Sequence, residues 1–229
     1  PNPVTGVHVE GPMLDAGLHS FIGCYDMPVR HGLTLGELAQ MANGERNLKA
    51  NLRVVAAKGW QRGDWLDSTN VLWRDPSPNM KSLNAATLYT GVALMEAAKT
   101  VSVGRGTDAP FEQIGADWMN GRELAKALNA RPLQGVRVYP TTFRPNASNF
   151  SGKTVQGVRF VVTDREAFRP VRFGIELAVA IEKLYPGRID WKVNRKLIGS
   201  DAVVAAILRK DDPRRIADSW DESINKYLT

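Results

Sequence analysis

Apolar and polar residues along the chain recur with two different periods. Valines and Phe160 alternate with other residues over residues 155–163, and this period of two predicts a strand. Residues 136–141 show the same β-branched, alternating character. A third stretch, residues 51–57, places Leu52, Val54 and Ala56 on one face and is also predicted as a strand.

Helices are predicted where capping residues precede apolar positions spaced three or four apart. Thr34 and Glu37 have the spacing of a capping box, which predicts a helix through about Ala42. Asn120 with Glu123 predicts a second helix that ends near residue 129. Further helices are expected over residues 170–185, 201–210 and 212–227. Residues 84–99 fit a buried helix or a helix followed by a strand, with Gly91 at the break.

The order of these elements predicts an α+β fold, a mixed sheet packed with several helices in a single compact domain over residues 1–229. Strands and helices do not alternate regularly, and glycine-rich phosphate turns are absent, so a Rossmann unit is not indicated in this sequence. Residues 59–79 form a long predicted loop with three tryptophans, and loops of that length tend to be functional.

The net charge and the length of the apolar runs limit which classes of partner we expect. The formal net charge is +6 and the pI about 9.6, but the basic residues are scattered and interleaved with aspartates, as on a solvated helix face. We therefore expect no nucleic-acid partner, although an acidic ligand suits the charge. The apolar runs are shorter than the roughly 20 residues needed to cross a bilayer, so no membrane span is predicted.

Cysteine and histidine are rare. A single cysteine, Cys24, excludes an internal disulfide framework and is interpreted as a small buried hydrophobe. Three histidines without a second sulfur ligand or an HExxH spacing give no zinc signature. The sequence predicts neither a metal nor a cofactor.

Two turns near the start of the chain carry side chains capable of chemistry. Glu10 precedes Gly11-Pro12, a turn that restricts the direction of the carboxylate, although a solvent-facing turn residue explains it as well. Arg30 and His31 stand together before the predicted capped helix and could hold a carboxylate or sugar hydroxyls. Alternatively, His31 only hydrogen-bonds a loop carbonyl.

Polar residues on rigid turns continue further along. Asn79 follows two prolines, and Arg105 stands between two glycines, which allow backbone amides to approach an anion closely. Glu112 follows in Pro110-Phe111-Glu112. Turn formation alone also explains these clusters. Glycoside hydrolysis needs two carboxyl groups, for which Glu10, Glu96 and Glu112 are the candidates, but Glu96 fits an ordinary helix-surface glutamate.

In this order the clusters resemble the exo-β-N-acetylmuramidase (NamZ) family. The stretches that carry the resemblance span most of the chain: Pro1-Asn2-Pro3, Val9-Glu10-Gly11-Pro12, residues 28–39, Pro76-Ser77-Pro78-Asn79-Met80, residues 104–107, 110–112 and 114–116, and residues 163–165 and 168–171. Two departures stand out. Glu96-Ala97-Ala98-Lys99 replaces a Glu-Gly-Thr-Asn-like run, which weakens a binding role for Glu96, and Lys81 replaces a common proline.

The resemblance implies a two-domain enzyme with its cleft between an N-terminal Rossmann-like domain and a C-terminal domain. It implies that this chain is the C-terminal domain and lacks the Rossmann-like partner. The family removes terminal N-acetylmuramic acid from the non-reducing end of peptidoglycan fragments, which implies work in the periplasm or outside the cell. Glu10, His31 and Glu112 are then expected as catalytic residues.

Arg30, Asn79 and Arg105 are expected to bind the substrate, and we expect the candidate side chains to line one sugar-sized hollow. The alternative is a non-catalytic glycan-binding or structural domain.

Overall fold

The computed structural model describes residues 2–229, so Pro1 of the Pro1-Asn2-Pro3 match lies outside the described residues. In chain order the elements are β1 (Glu10–Met13), β2 (Pro28–Arg30), α1 (Leu35–Glu45), α2 (Leu83–Val92), β3 (Gln113–Ala116), α3 (Gly121–Asn129), β4 (Val136–Phe143), β5 (Val155–Val162), α4 (Pro170–Leu184), α5 (Trp191–Ile198), α6 (Asp201–Arg209), α7 (Pro213–Asp218) and α8 (Asp221–Leu228). None of the helices in this described part of the chain is long and apolar enough to cross a membrane.

The strands form small antiparallel sheets. β1 pairs with β2, and β5 lies between β3 and β4. The α+β class is therefore confirmed, while antiparallel pairs stand where one mixed sheet was expected. Residues 144–154 are long enough to return β4 directly onto β5 as a hairpin, whereas a parallel pair needs a crossover of a dozen or more residues.

Helix α4 runs through the centre of the apolar core. Its buried residues include Ile175, Leu177 and Ile181, and the Phe173 ring meets Phe160 of β5 edge to face at 5.0 Å between centroids. α2 crosses α4 closely at Gly91, where an added Cβ would lie 1.9 Å from the Pro170 carbonyl oxygen. This contact fixes the end of α2 against the start of α4.

Most of the strongly patterned elements are confirmed. The Thr34 hydroxyl and Glu37 carboxylate form the predicted capping box of α1. The Asn120 side chain caps α3, and Pro170 is the first residue of α4. β4 and β5 lie within two residues of the predicted bounds.

Other elements differ from the prediction. Residues 84–99 form α2 and then a single 3-10 turn, so Gly91 lies inside the helix and serves a close helix contact. The helix predicted over residues 212–227 is two helices, α7 and α8, separated at Ser219 and Trp220. Residues 51–57 form neither a helix nor a strand and lie outside both sheets, so the predicted strand is absent from the described residues 2–229.

Candidate functional site

Arg105 stands on a tight turn whose conformation only glycine allows on both sides. Gly104 has φ of 81° and Gly106 has φ of 77°, in the left-handed region. A Cβ on Gly106 would lie 2.6 Å from backbone atoms of Ala147, and the Gly106 carbonyl accepts a hydrogen bond from the Asn146 amide at 2.8 Å. The turn is thereby held against residues 146–148.

Two small polar cavities meet at this turn. One has a volume of about 260 Å³ and the other about 310 Å³, and both are lined by Arg105 and Ser148. We call their combined surface the Arg105 groove, which is lined by Pro78, Asn79, Lys81, Glu96, Lys99, Ser102, Val103, Arg105, Gly106, Thr107, Asn146, Ala147, Ser148 and Asn149.

The Arg105 guanidinium is held from two sides. It forms an ion pair with Glu96 and lies 5.2 Å from the centroid of the Phe111 ring. Its Nε is buried and has no hydrogen-bond partner among residues 2–229. A buried donor without a partner costs about 1–3 kcal/mol and is uncommon in folded proteins.

Backbone and side-chain hydrogen bonds join the walls of the groove. Asn79 Oδ1 accepts from the Gly106 amide at 3.3 Å, and Lys81 Nζ donates to the Thr107 carbonyl at 3.0 Å. These bonds bind the Pro78–Lys81 turn to the Arg105 turn. The groove carries Lys81, Lys99 and Arg105 against the single carboxylate of Glu96, so its local charge is positive.

Glu112 lies close along the chain but is tied to other elements. One carboxylate oxygen accepts from the Ser82 hydroxyl at 2.6 Å and the other from Arg159 at 3.2 Å. Ser82 in turn caps α2 by accepting from the Ala85 amide. Glu112 therefore links the start of α2 to β5.

Glu10 and Arg30 form a buried ion pair. The Glu10 side chain is 4% exposed and accepts from Arg30 at 2.8 Å and from the Val171 amide at 3.1 Å. Arg30 also donates to the Thr5 carbonyl at 3.2 Å. Burial raises the pKa of the Glu10 carboxyl, and the Arg30 guanidinium opposes that rise. The pair connects β1 and β2 to the start of α4.

His31 points away from its neighbour Arg30. Its Nδ1 accepts a hydrogen bond from the Leu33 amide at 3.1 Å, and it lines a mainly apolar cavity of about 360 Å³ with Met27 and Val29. Burial lowers the pKa of the imidazole, which favours the neutral ring with its proton on Nε2. The ring thus pairs with a loop amide, where the alternative prediction was a loop carbonyl, and the backbone carbonyl of His31 accepts a hydrogen bond from the Tyr227 hydroxyl at 3.4 Å.

The structure thus brings Asn79 and Arg105 together and places Glu10 with Arg30 elsewhere. Glu112 contacts Ser82 at the start of α2. Glu10 contacts the start of α4, and the start of α4 packs on Gly91 near the end of α2. Ser82 and Gly91 are about 14 Å apart at the helical rise of about 1.5 Å per residue. The catalytic and binding roles of these residues stay predictions.

The sequence analysis gave little weight to Glu96 and missed other residues of the Arg105 groove. Glu96 fits a helix-surface glutamate by its neighbours, yet it forms the ion pair with Arg105. Ser148 and Asn149 come from the β4–β5 connection, distant in sequence, and Asn149 donates to the carbonyls of Ala98 and Val101. Positive φ at Ser148 is the local feature that marks this turn, and it has no plain sequence signal.

Metal ligands do not cluster in the described part of the chain: residues 2–229 contain no group of three or more His, Cys, Asp or Glu residues that could hold an ion. Cys24, interpreted from the sequence as buried, is exposed. It lines the same cavity as His31.

Comparison with known proteins gives consistent matches over the whole chain. Residues 87–229 match the family described as exo-beta-N-acetylmuramidase NamZ, C-terminal, and residues 1–84 match its N-terminal counterpart. The sequence analysis treats all 229 residues as C-terminal domain, whereas these matches divide the chain between residues 84 and 87, in the first turn of α2.

Relatives are considerably longer than this chain. It is 35% identical over 230 residues to peptidoglycan beta-N-acetylmuramidase NamZ of Bacillus subtilis (strain 168), covering 99% of this chain and 55% of that protein. Two DUF1343 family proteins of known structure from Bacteroides fragilis NCTC 9343 are similar, with TM-scores of 0.90 and 0.75 at 28% and 27% identity. The chain spans 62% of each of them. The chain belongs to the exo-beta-N-acetylmuramidase NamZ family.

Proposed function

We propose that the protein containing this chain is a glycoside hydrolase that removes terminal N-acetylmuramic acid from the non-reducing end of peptidoglycan fragments. The chain supplies one wall of the cleft. The observation that carries the proposal is the Arg105 groove, in which a constrained arginine lies beside a carboxylate, amides and a hydroxyl. The Bacillus subtilis relative named as a peptidoglycan beta-N-acetylmuramidase supports the reaction class.

The chemistry of the groove suits an acidic sugar. N-acetylmuramic acid carries a lactyl carboxylate, and the positive local charge from Lys81, Lys99 and Arg105 favours an anion. Asn79 and Ser148 supply the amide and hydroxyl groups that sugar hydroxyls and an acetamido group pair with. We assign the lactyl carboxylate to the Arg105 side of the groove.

The carboxylates near the groove suit binding and positioning. Both oxygens of Glu112 accept hydrogen bonds, from Ser82 and Arg159, and Glu96 is paired with Arg105. A general acid for glycoside hydrolysis must instead present a proton to the leaving oxygen. We therefore propose that the acid comes from the opposite wall of the cleft, and that Glu96 and Glu112 orient the arginines.

The test is turnover of a chromogenic N-acetylmuramide by the full-length enzyme. Replacing Arg105 with alanine should lower kcat/KM at least about 100-fold, since a charge-assisted contact to the substrate is lost. Arg105→Lys should recover part of this loss because the charge remains while the forked geometry does not. Arg188→Ala, which removes an exposed arginine away from the groove, is the matched control and should leave turnover unchanged. Unchanged turnover in Arg105→Ala would remove the groove from the active site.

The residues present in this chain also favour a second function. Because Glu96, the one carboxylate that lines the Arg105 groove, is paired with Arg105, the described chain fits a glycan-binding domain without its own catalysis. Titrating residues 1–229 with muramyl sugars separates the two functions: binding without hydrolysis supports the binding domain, and hydrolysis by the isolated chain excludes it.

Partners and location follow from the same proposal. We propose peptidoglycan-derived sugars as ligands and a Rossmann-like N-terminal domain as the opposite wall of the cleft. Because the proposed substrate is wall material, we propose that the protein works in the periplasm or outside the cell. Fractionation of cells that express the intact gene product tests this, and recovery solely from the cytoplasm would contradict it.

A further inference from the structure

Side chains from distant parts of the fold hold the segment of residues 96–101, which follows α2 and its 3-10 turn. The Ala97 amide donates to Oδ1 of Asn194, on α5, at 3.0 Å. Nδ2 of Asn149, in the β4–β5 connection, donates to two carbonyls of the segment at 2.8 and 2.9 Å. Side-chain amides thus satisfy and fix backbone groups that lie outside the helices and strands.

This segment carries two charged side chains of the Arg105 groove. Glu96 forms the ion pair with Arg105, and Lys99 lines the same cavity. Glu96 immediately precedes Ala97, so a shift of the Ala97 backbone moves the carboxylate that holds the guanidinium. The pair with Glu96 is the one ion pair that Arg105 forms within residues 2–229, and its Nε has no partner there. The direction of the guanidinium therefore depends on where the segment lies.

Asn194 holds the segment from inside the core. It is 0% exposed and, with Trp191 and Ile198, forms the buried side of α5. Its Nδ2 donates to the Asp190 carbonyl at 3.1 Å. An amide in an apolar core is unfavourable unless it is hydrogen-bonded. What the amide adds here is one defined position for Ala97, because a hydrogen bond depends on distance and angle far more strictly than an apolar contact does.

We propose that Asn194 is a positioning residue for the recognition of an acidic sugar. It fixes Ala97, which sets the Glu96 carboxylate and through it the Arg105 guanidinium. Asn194 does not line the groove and acts from α5, 97 residues from Ala97 in the sequence. The inference rests on the proposed assignment of the lactyl carboxylate to the Arg105 side of the groove.

Binding of N-acetylmuramic acid and of its methyl ester to the intact protein tests the proposal, measured by calorimetry. The two sugars differ in the charge of the carboxyl group, so wild type should prefer the acid. Asn194→Ala should weaken binding of the acid at least about 10-fold, since a misplaced guanidinium loses its forked contact with a carboxylate. Binding of the ester should change less than about 2-fold. Equal losses for both sugars, or no loss for the acid, would overturn the proposal.

Two further variants separate positioning from stability. Asn194→Asp keeps an oxygen that accepts from the Ala97 amide but loses the donor to the Asp190 carbonyl, so it should lower the Tm yet keep most of the preference for the acid. Asn129→Ala is the matched control. It removes an amide on α3 that forms two hydrogen bonds with the Val138 backbone, and it should lower the Tm without changing the preference. A preference that falls in step with the Tm in all three variants would contradict positioning.

A measurement without sugar distinguishes failure of this proposal from failure of the proposed function. The Arg105 Nε–H signal in nuclear magnetic resonance is assigned by its loss in Arg105→Lys. Because this group is buried, it should exchange slowly with water in wild type and at least about 10-fold faster in Asn194→Ala. Unchanged exchange would overturn the role of Asn194. Unchanged binding of the acid in Arg105→Ala would instead refute the assignment of the lactyl carboxylate, and the exchange rate would then decide alone whether Asn194 positions the guanidinium.

Discussion

At the scale of single residues, the buried pair of Glu10 and Arg30 contributes to stability in a way that depends on both members. Each is at most 7% exposed, and each satisfies the other and nearby backbone groups. Removing one member of such a pair leaves an uncompensated charge in the interior.

Glu10→Gln should therefore lower the free energy of unfolding by about 3 kcal/mol, measured by urea denaturation. The double variant Glu10→Gln with Arg30→Met should recover part of that loss, because the buried charge is gone as well. Additive losses in the double variant would show that the two side chains do not interact.

The glycine and proline after Glu10 predicted a carboxylate on a turn, but Glu10 is the buried first residue of strand β1. They could not indicate its direction, because the partner Arg30 and the Val171 amide come from distant parts of the chain. For the same reason the sequence analysis took Glu96 as an ordinary surface glutamate. Its neighbours Ala97 and Ala98 fit a helix surface, and only the fold brings Arg105 to it.

At the scale of elements, the crossing of α2 and α4 depends on two glycines. The Gly91 and Gly174 backbones approach so closely that an added Cβ at Gly174 would lie 2.5 Å from the Gly91 carbonyl oxygen. A side chain at either position forces the helices apart.

Gly91→Ala should destabilise the chain by about 3 kcal/mol or more, since the new methyl group meets the Pro170 backbone, which cannot rotate away. Gly44→Ala is the matched control, because Gly44 is also helical and has nothing within 4 Å of an added Cβ. It should be neutral or stabilising by up to about 1 kcal/mol. Thermal unfolding of the two variants compares them directly, and equal shifts would argue against a steric contact.

Elements with a strong local signal were predictable. α1, α3 and α4 each begin at a capping residue or proline whose effect is confined to one turn. The prediction of one unbroken helix over residues 212–227 was wrong. The apolar spacing continues across Trp220, but the backbone turns there and α8 packs on β1. α5 was missed because its exposed face is strongly basic and its buried face is short.

At the scale of the whole molecule, two partly buried histidines make stability depend on pH. Burial lowers the pKa of His31, and burial, Arg169 and Arg30 lower that of His8, from the ordinary value near 6.5. The folded state therefore binds protons less readily than the unfolded chain. Their contribution to stability is fully present above pH 6.5 and is lost as the pH falls through the window between 6.5 and the lowered folded-state pKa values.

Denaturant unfolding of this chain should consequently show stability falling as the pH is lowered from about 7 to about 5. His31→Gln should reduce the slope of that decrease, and the slopes of variant and wild type should agree above about pH 7.5, where both histidines are neutral. A slope below pH 6.5 that is identical in His31→Gln and wild type would show that this imidazole is not involved.

The sequence by itself determined the elements with local causes: capped helices, the alternating strands β4 and β5, the α+β class and the family resemblance. These depend on propensities and spacings within a few residues. Only the tertiary structure decided which charges meet. It buried Glu10 with Arg30, brought Arg105 together with Glu96 and Ser148, and left residues 51–57 outside both sheets. Such contacts depend on distances between segments far apart in sequence, which no local pattern encodes.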